Sequence, residues 1–253
     1  MTEFRIKPFI LIALGVLAVS YGVLVFDDDT VVALGTEDGL FECATSVLFA
    51  ITGGLLAWMY VKCPYANDLL VLRTRRNIFF LLLALVFLFG AGEEISWGQR
   101  IFGFETPESI AKENLQGEMN IHNLSIFHQS EESGVAKTGW RKLLSIQGMF
   151  ALFWIFYCFL VPLSCRLSSG LAGLLRRFGL PIVPLGIGIF FPINYGVSKL
   201  LEKTVTPHGM RIHWPAMEIK EAVFSALFLL MAVAYYRGMH SLSGANAPAA
   251  PSS

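Results

Sequence analysis

The chain has 253 residues, 55% of them hydrophobic and only 15% charged, with equal numbers of acidic and basic side chains. With a mean hydropathy of +0.59, these values exclude an ordinary water-soluble domain and indicate a polytopic membrane protein. No nucleic-acid partner is expected: zero net charge says nothing of one, and no basic, aromatic-interleaved patch suggests it.

Predominantly apolar runs long enough to cross about 30 Å of hydrocarbon occur six times in chain order. They fall at residues 8–26, 39–61, 77–92, 143–164, 179–201 and 219–236. The first follows Arg5 and Lys7 and has a signal-peptide flavour at Ala18-Val19-Ser20, but it stays apolar to Phe26, so a retained span is expected. The second opens on Glu37, Asp38 and Glu42. The third lies within the 15 charge-free residues Asn77 to Ala91, and reaches full length only if its helix runs on through Glu93 and Glu94. Pro181, Pro184 and Pro192 predict a kinked or broken fifth span. The sixth begins with Glu218 and Glu221, three residues apart and so on one helix face.

Basic residues set the expected orientation. With the N-terminus in the cytoplasm, the inner segments hold Arg5, Lys7, Lys62, Arg73, Arg75, Arg76, Arg166, Arg176, Arg177 and Arg237 against only Glu3 and Asp68. The expectation is an all-α domain at residues 1–240 with six spans and both termini inside. An outer loop covers about 104–142, and a disordered Ala/Pro/Ser/Gly tail covers 241–253. Such a multi-pass protein belongs in a bacterial inner membrane, with its polar end toward the periplasm. Thr106-Pro107-Glu108 predicts an N-cap and a short interfacial helix to about Gln116. Trp97, Trp140 and Trp214 fall where an aromatic belt belongs. Cys43, Cys63, Cys158 and Cys165 fit no metal or disulfide pattern.

Chemistry concentrates at the outer end. An acid at membrane depth is costly and is a functional candidate by default, and Glu93-Glu94 has Glu42, Glu118, His122, Glu218 and Glu221 at the same expected level. On a continued third helix, Glu93, Trp97 and Arg100 share one face while Glu94 points elsewhere. In the outer loop, Asn114, Gln116, Glu118, Asn120 and His122 alternate with Leu115, Gly117, Met119 and Ile121, so an extended segment with a buried apolar side is expected, followed by Asn123. Carboxylate, amide and imidazole together are the parts of an acid/base or metal site. Glu93, Glu94, Glu118 and His122 are the candidate catalytic groups. Arg100, Trp97, Asn120, Asn123 and Gln116 are candidate substrate contacts. Glu42, Glu218, Glu221 and His122 are candidate ligands for a divalent metal, zinc or magnesium. His208 and His213 are further candidates. No P-loop, dinucleotide fingerprint, Gly-x-Ser-x-Gly elbow or His-Glu-x-x-His is present, and no serine or cysteine has a base nearby in sequence, which disfavours a nucleophilic mechanism.

The stretch GAGEEISWGQRIFG resembles the first motif of the CAAX-protease and bacteriocin-processing family of intramembrane metalloproteases. The resemblance matches Glu93 and Glu94 to the family's glutamate pair and His122 or His128 to a later histidine, and implies metal-assisted hydrolysis. Arg100 stands six residues after Glu94 where the family has arginine at four, and the histidines fall in a loop. Multi-pass ceramidase-like hydrolases also build zinc sites from scattered polar residues, but their histidine pattern in the last span is absent.

The leading expectation is therefore a hydrolase or transferase using acid/base or metal assistance on a lipid or lipid-linked substrate. The alternative is a proton- or cation-coupled transporter using the same carboxylates. A third is a non-catalytic membrane subunit that binds a partner through the outer loop.

Overall fold

A computed structural model describes residues 3–36, 39–62, 76–128, 137–205 and 213–245, the side chains of 3–5, 100, 202–205, 213–214 and 240–245 aside. It is all-helical, with no strand among the described residues.

α1 (Glu3–Gly22) ends in a single 3-10 turn, and α2 (Asp28–Leu34) starts on Asp27, whose carboxylate accepts the backbone N–H of Thr30. α3 (Leu40–Lys62) leads into α4 (Ile78–Glu94), capped by Asn77. Short turns of helix follow, α5 (Gln99–Phe102), α6 (Glu108–Ala111) and α7 (Trp140–Leu143). The next long element starts as α8 (Ile146–Phe153), widens to a π-helix over Trp154–Leu160 and closes as α9 (Val161–Leu167). α10 (Ser169–Phe178), α11 (Leu185–Gly188), α12 (Phe190–Val205) and the 33-residue α13 (His213–Ala245) complete the chain.

Three helical segments, Ile6–Val25, Leu40–Lys62 and Ile146–Leu167, are long and apolar enough to cross a membrane, and Leu185–Leu201 is a shorter apolar helix. These correspond to the first, second, fourth and fifth expected runs. The fifth is broken as its prolines foretell: 180–184 is not helical, and Pro181 offers its carbonyl to the hydroxyls of Tyr157 and Tyr235. α13 continues through Ala245, five residues into the segment expected to be a disordered tail; residues 246–253 lie outside the described ones.

α3 packs most extensively on α4 and α13, and α13 also meets α1 and α12, so α13 is the central post. Its Phe224, Leu227, Phe228 and Met231 are fully buried. Phe228 gathers Phe87 at 4.9 Å, Phe191 at 5.0 Å and Phe153 at 5.7 Å between ring centroids, and Phe150 meets Phe224 at 5.3 Å. Where lipid is as apolar as leucine, such tight packing and interhelical hydrogen bonds hold helices together. Ser46 Oγ supplies one by donating to the Ala91 carbonyl at 3.0 Å. Gly188 supplies close approach, since a Cβ there would stand 2.3 Å from the Cys158 carbonyl on the π-helix.

Candidate functional site

α4 does run through the glutamate pair, but it stops at Glu94. Ser96 (φ 46°), Trp97 (φ 53°) and Gly98 (φ 81°) form a left-handed turn, a conformation costing a non-glycine residue on the order of 1–3 kcal/mol. A continuous helix carrying Glu93, Trp97 and Arg100 on one face is therefore not what forms. The turn folds Trp97 back along α4 instead. Its ring lies where a Cβ on Gly92 would be 2.9 Å from it, and its indole N–H donates to Glu93 Oε1 at 2.6 Å. Arg100 belongs to α5, and its side chain lies outside the described residues.

The other oxygen of Glu93 holds the outer loop. Oε2 accepts the backbone N–H groups of Ile121 (2.7 Å) and His122 (2.8 Å) and faces His122 Nδ1 at 3.4 Å. The carboxylate is 6% exposed and the imidazole 31%. A buried acid is thus fully occupied by donors, while the ring it orients stays open to a ligand. Imidazole held at Nδ1 by a carboxylate presents Nε2 outward, the arrangement a general acid/base requires.

The loop itself departs from the expected extended segment. Its helix α6 is one turn long, is preceded by Pro107 as cap, and leaves Thr106 Oγ1 to accept from Gln99 Nε2. Residues 114–124 fold back on themselves, closed by a single bridge between Asn114 and Leu124. The apolar side expected to bury does not: Ile121 is 41% exposed, whereas Asn114 and Asn120 are buried. Asn114 accepts the backbone N–H groups of Gln116 and Glu118 and donates to Asn120 twice at 2.9 Å. The loop docks by saturated amide hydrogen bonding and not by an apolar face.

Ser96 is the residue that sequence reasoning overlooked. Buried on the left-handed turn, its Oγ donates to Glu118 Oε2 at 2.6 Å and accepts from Asn120 Nδ2 at 3.0 Å, and Asn120 also donates to Glu118 at 2.8 Å. Gln99 Oε1 accepts the Met119 N–H in the same seam. The partners lie more than twenty positions apart, so no local spacing signals them. Gln116 and Asn123 bond to each other at the exposed rim.

Glu94 faces the bundle. Glu221, Glu218 and Glu42 stand close enough for their charges to act on it. Helix register explains the convergence: Ser46 bonds Ala91, which puts Glu42 one turn out, level with Glu94. Phe150 touches Phe224, which puts Gln147 level with Glu221, and Gln147 Oε1 is a buried acceptor with no hydrogen-bond partner. Lys220 Nζ lies 3.6 Å from Glu221, and its carbonyl accepts from Asn194, which in turn accepts the Tyr21 hydroxyl at 2.7 Å.

The site residues read from the sequence are thus divided between two neighbouring groups. Glu93, Glu118, Asn120 and His122 share the loop network; Glu42, Glu94, Glu218 and Glu221 share the bundle face. Among the described residues no three His, Cys, Asp or Glu side chains are grouped so as to hold a metal ion, and the four proposed ligands are split, with His122 on Glu93. Glu37, Asp38 and His208 lie outside the described residues, as does the His213 side chain. No protein family, curated protein or solved structure matches the chain. The likeness of the glutamate stretch to the intramembrane proteases therefore stays confined to about a dozen residues.

Proposed function

We propose that this chain is a membrane-embedded enzyme that uses Glu93 and His122 for acid/base hydrolysis or transfer on a lipid or lipid-linked substrate. The single observation that carries this reading is the buried Glu93 carboxylate, saturated by donors and facing Nδ1 of a part-exposed imidazole. In the proposed reaction, His122 Nε2 takes a proton from water, or from an acceptor hydroxyl, as its oxygen attacks the ester carbon or phosphorus. The resulting imidazolium is held by Glu93 and returns the proton to the leaving oxygen. A positioned group of this kind contributes about 10²–10⁴-fold. Ser96, Glu118 and Asn120 fix the loop that carries His122, while the half-exposed Trp97 and the exposed Ile101 and Phe102 offer an apolar rim for acyl chains.

The topology that suits this reading has six spans, both termini in the cytoplasm and the site on the periplasmic side of a bacterial inner membrane. α4, at 17 residues, and the longer α13 then join the three long apolar segments and the broken fifth. The gathering of Glu42, Glu218 and Glu221 about Glu94 favours a proton-coupled transporter as the second reading. Against it, the rings of Phe87, Phe150, Phe153, Phe224 and Phe228 pack together one to two turns inward of the glutamates.

The test is to incubate the purified protein in nanodiscs of bacterial polar lipid with ¹⁸O-labelled water. Mass spectra of the lipids should show ¹⁸O-bearing products or new transfer products that vanish in His122→Ala. Turnover equal in the variant, or no turnover of any lipid class, would remove the enzyme reading.

A further inference from the structure

α10 stands at the opposite end of the bundle from the glutamates and is unlike the other helices. It begins two residues after the membrane-length segment Ile146–Leu167, and Ser168 between them is extended (φ −132°, ψ 108°), so the chain changes direction. Ser168 caps the new helix by accepting the Leu171 N–H. Gly179 ends it in the left-handed conformation, with Leu180 N–H returning to the Leu175 carbonyl. Asn77 Nδ2 donates to the Gly179 carbonyl at 2.6 Å and fastens this end to the start of α4.

At about 100° per residue, Leu171, Leu174, Leu175 and Phe178 fill an arc of roughly 100° on one side. Ala172 packs toward the protein, and Arg176 and Arg177 lie on the side of the helix away from the apolar arc. Leu171 and Leu175 are half-buried, but the rest of the arc is open among the described residues: Leu174 is 50% and Phe178 38% exposed, and Leu167 just before the helix is 80% exposed. Charge is segregated as well. Arg166, Arg176 and Arg177 are exposed here, and Lys62, Arg76 and Arg237 belong to the same end. Every acidic side chain described belongs to the other half of the molecule.

We infer that α10 lies in the plane of the membrane boundary, seats its leucines and Phe178 among acyl chains, and binds anionic phospholipid headgroups through Arg176 and Arg177. An amphipathic helix with an apolar arc on one side and cations on the other is the form that lies on a bilayer and does not cross it. Arginine matches a phosphate with two parallel hydrogen bonds where lysine offers a point charge. A basic residue at such a surface is worth about fivefold in affinity for an anionic leaflet.

The test uses the full chain reconstituted in equal amounts of phosphatidylglycerol and phosphatidylcholine, followed by native mass spectrometry of retained lipid. The wild type should retain phosphatidylglycerol in excess. The variant R176Q/R177Q should lose about fivefold of that preference per charge removed, and R141Q/K142Q at the far end should keep it. Equal retention of both lipids by the wild type, or an equal loss in R141Q/K142Q, overturns the inference. A nitroxide at Leu174→Cys, in a background lacking the native cysteines, should be relaxed by oxygen and not by a water-soluble nickel chelate. Relaxation by nickel means the face meets water. Protection from both means a second copy or another part of the chain covers it. Either result overturns the inference.

Discussion

Glu93 and Glu94 are neighbours on one helix, yet they face two regions built on opposite rules. Toward the loop, every group around Glu93 is a donor: one indole, two backbone amides and an imidazole nitrogen. Toward the bundle, the groups that act most on Glu94 are other carboxylates. A carboxylate ringed by donors has its charge matched and its geometry fixed, which suits a residue that orients another. A carboxyl group among other carboxyls meets like charge, which suits a residue that shares a proton. In the proposed reaction the loop face holds and orients His122, and the bundle face takes no step.

The largest expected effect breaks this comparison on the loop side. His122→Ala should lower lipid turnover by about 10²–10⁴-fold while the thermal midpoint stays close to wild type, because the imidazole is part-exposed and its backbone N–H, not its ring, anchors the loop. Kinetics and a melting curve on the same preparation check both halves. Asn114→Ala comes next. Removing a buried side chain that makes four hydrogen bonds should destabilise the docked loop by roughly 2–4 kcal/mol. Hydrogen exchange should then accelerate at the Ile121 and His122 amides and not in α13.

A smaller effect contrasts the far end of the bundle. Tyr157 and Tyr235 lie 3.0 Å apart and share the Pro181 carbonyl, a neutral cluster that satisfies itself. Tyr235→Phe should cost about 1 kcal/mol of stability and leave turnover unchanged; a turnover loss would mean the two ends are coupled. Glu94→Gln sharpens the comparison within the dipeptide. Replacing this carboxyl, crowded by Glu42, Glu218 and Glu221, with a neutral amide should leave the melting temperature unchanged or raise it, whereas Glu93→Gln turns an amide donor toward donors and should lower it. A fall in both would erase the distinction between the two faces. The smallest effect is at Asp27, whose carboxyl the Thr30 backbone N–H and hydroxyl hold below its ordinary value. A depressed folded-state value contributes stability above the ordinary range that is lost as pH falls through the folded one. Protection of the Thr30 amide, its exchange rate relative to the intrinsic rate at the same pH, should therefore fall on acidification and should stay constant with pH in Asp27→Ala.

The helices were legible because membrane-length apolar runs leave few alternatives: the runs at 8–26, 39–61 and 143–164 reappear as Ile6–Val25, Leu40–Lys62 and Ile146–Leu167, shifted by a few residues. The proline-broken fifth run was equally plain. That Glu93 or Glu94 would meet Arg100 or the 118–123 segment followed from shared level and the cost of an unpaired carboxylate at that depth, and Glu93 meets the segment at Ile121 and His122. The turn at Ser96 and Trp97 was not legible, since neither residue type favours a left-handed backbone and the bonds of Ser96 to Glu118 and Asn120, more than twenty positions on, help hold it there. The period-two reading of 114–122 failed for a related reason. Alternation reports which side buries only when apolar contact drives docking, and this loop is drawn in by its amides.

The central claim is that His122 is the proton carrier and Glu93 its holder. Chemical rescue tests it most directly: His122→Ala in nanodiscs, assayed for lipid turnover with and without added imidazole. The account predicts turnover near background without imidazole and a saturable recovery with it, a recovery that should be absent when Glu93→Gln is added. Wild-type turnover in His122→Ala with no imidazole present would contradict it.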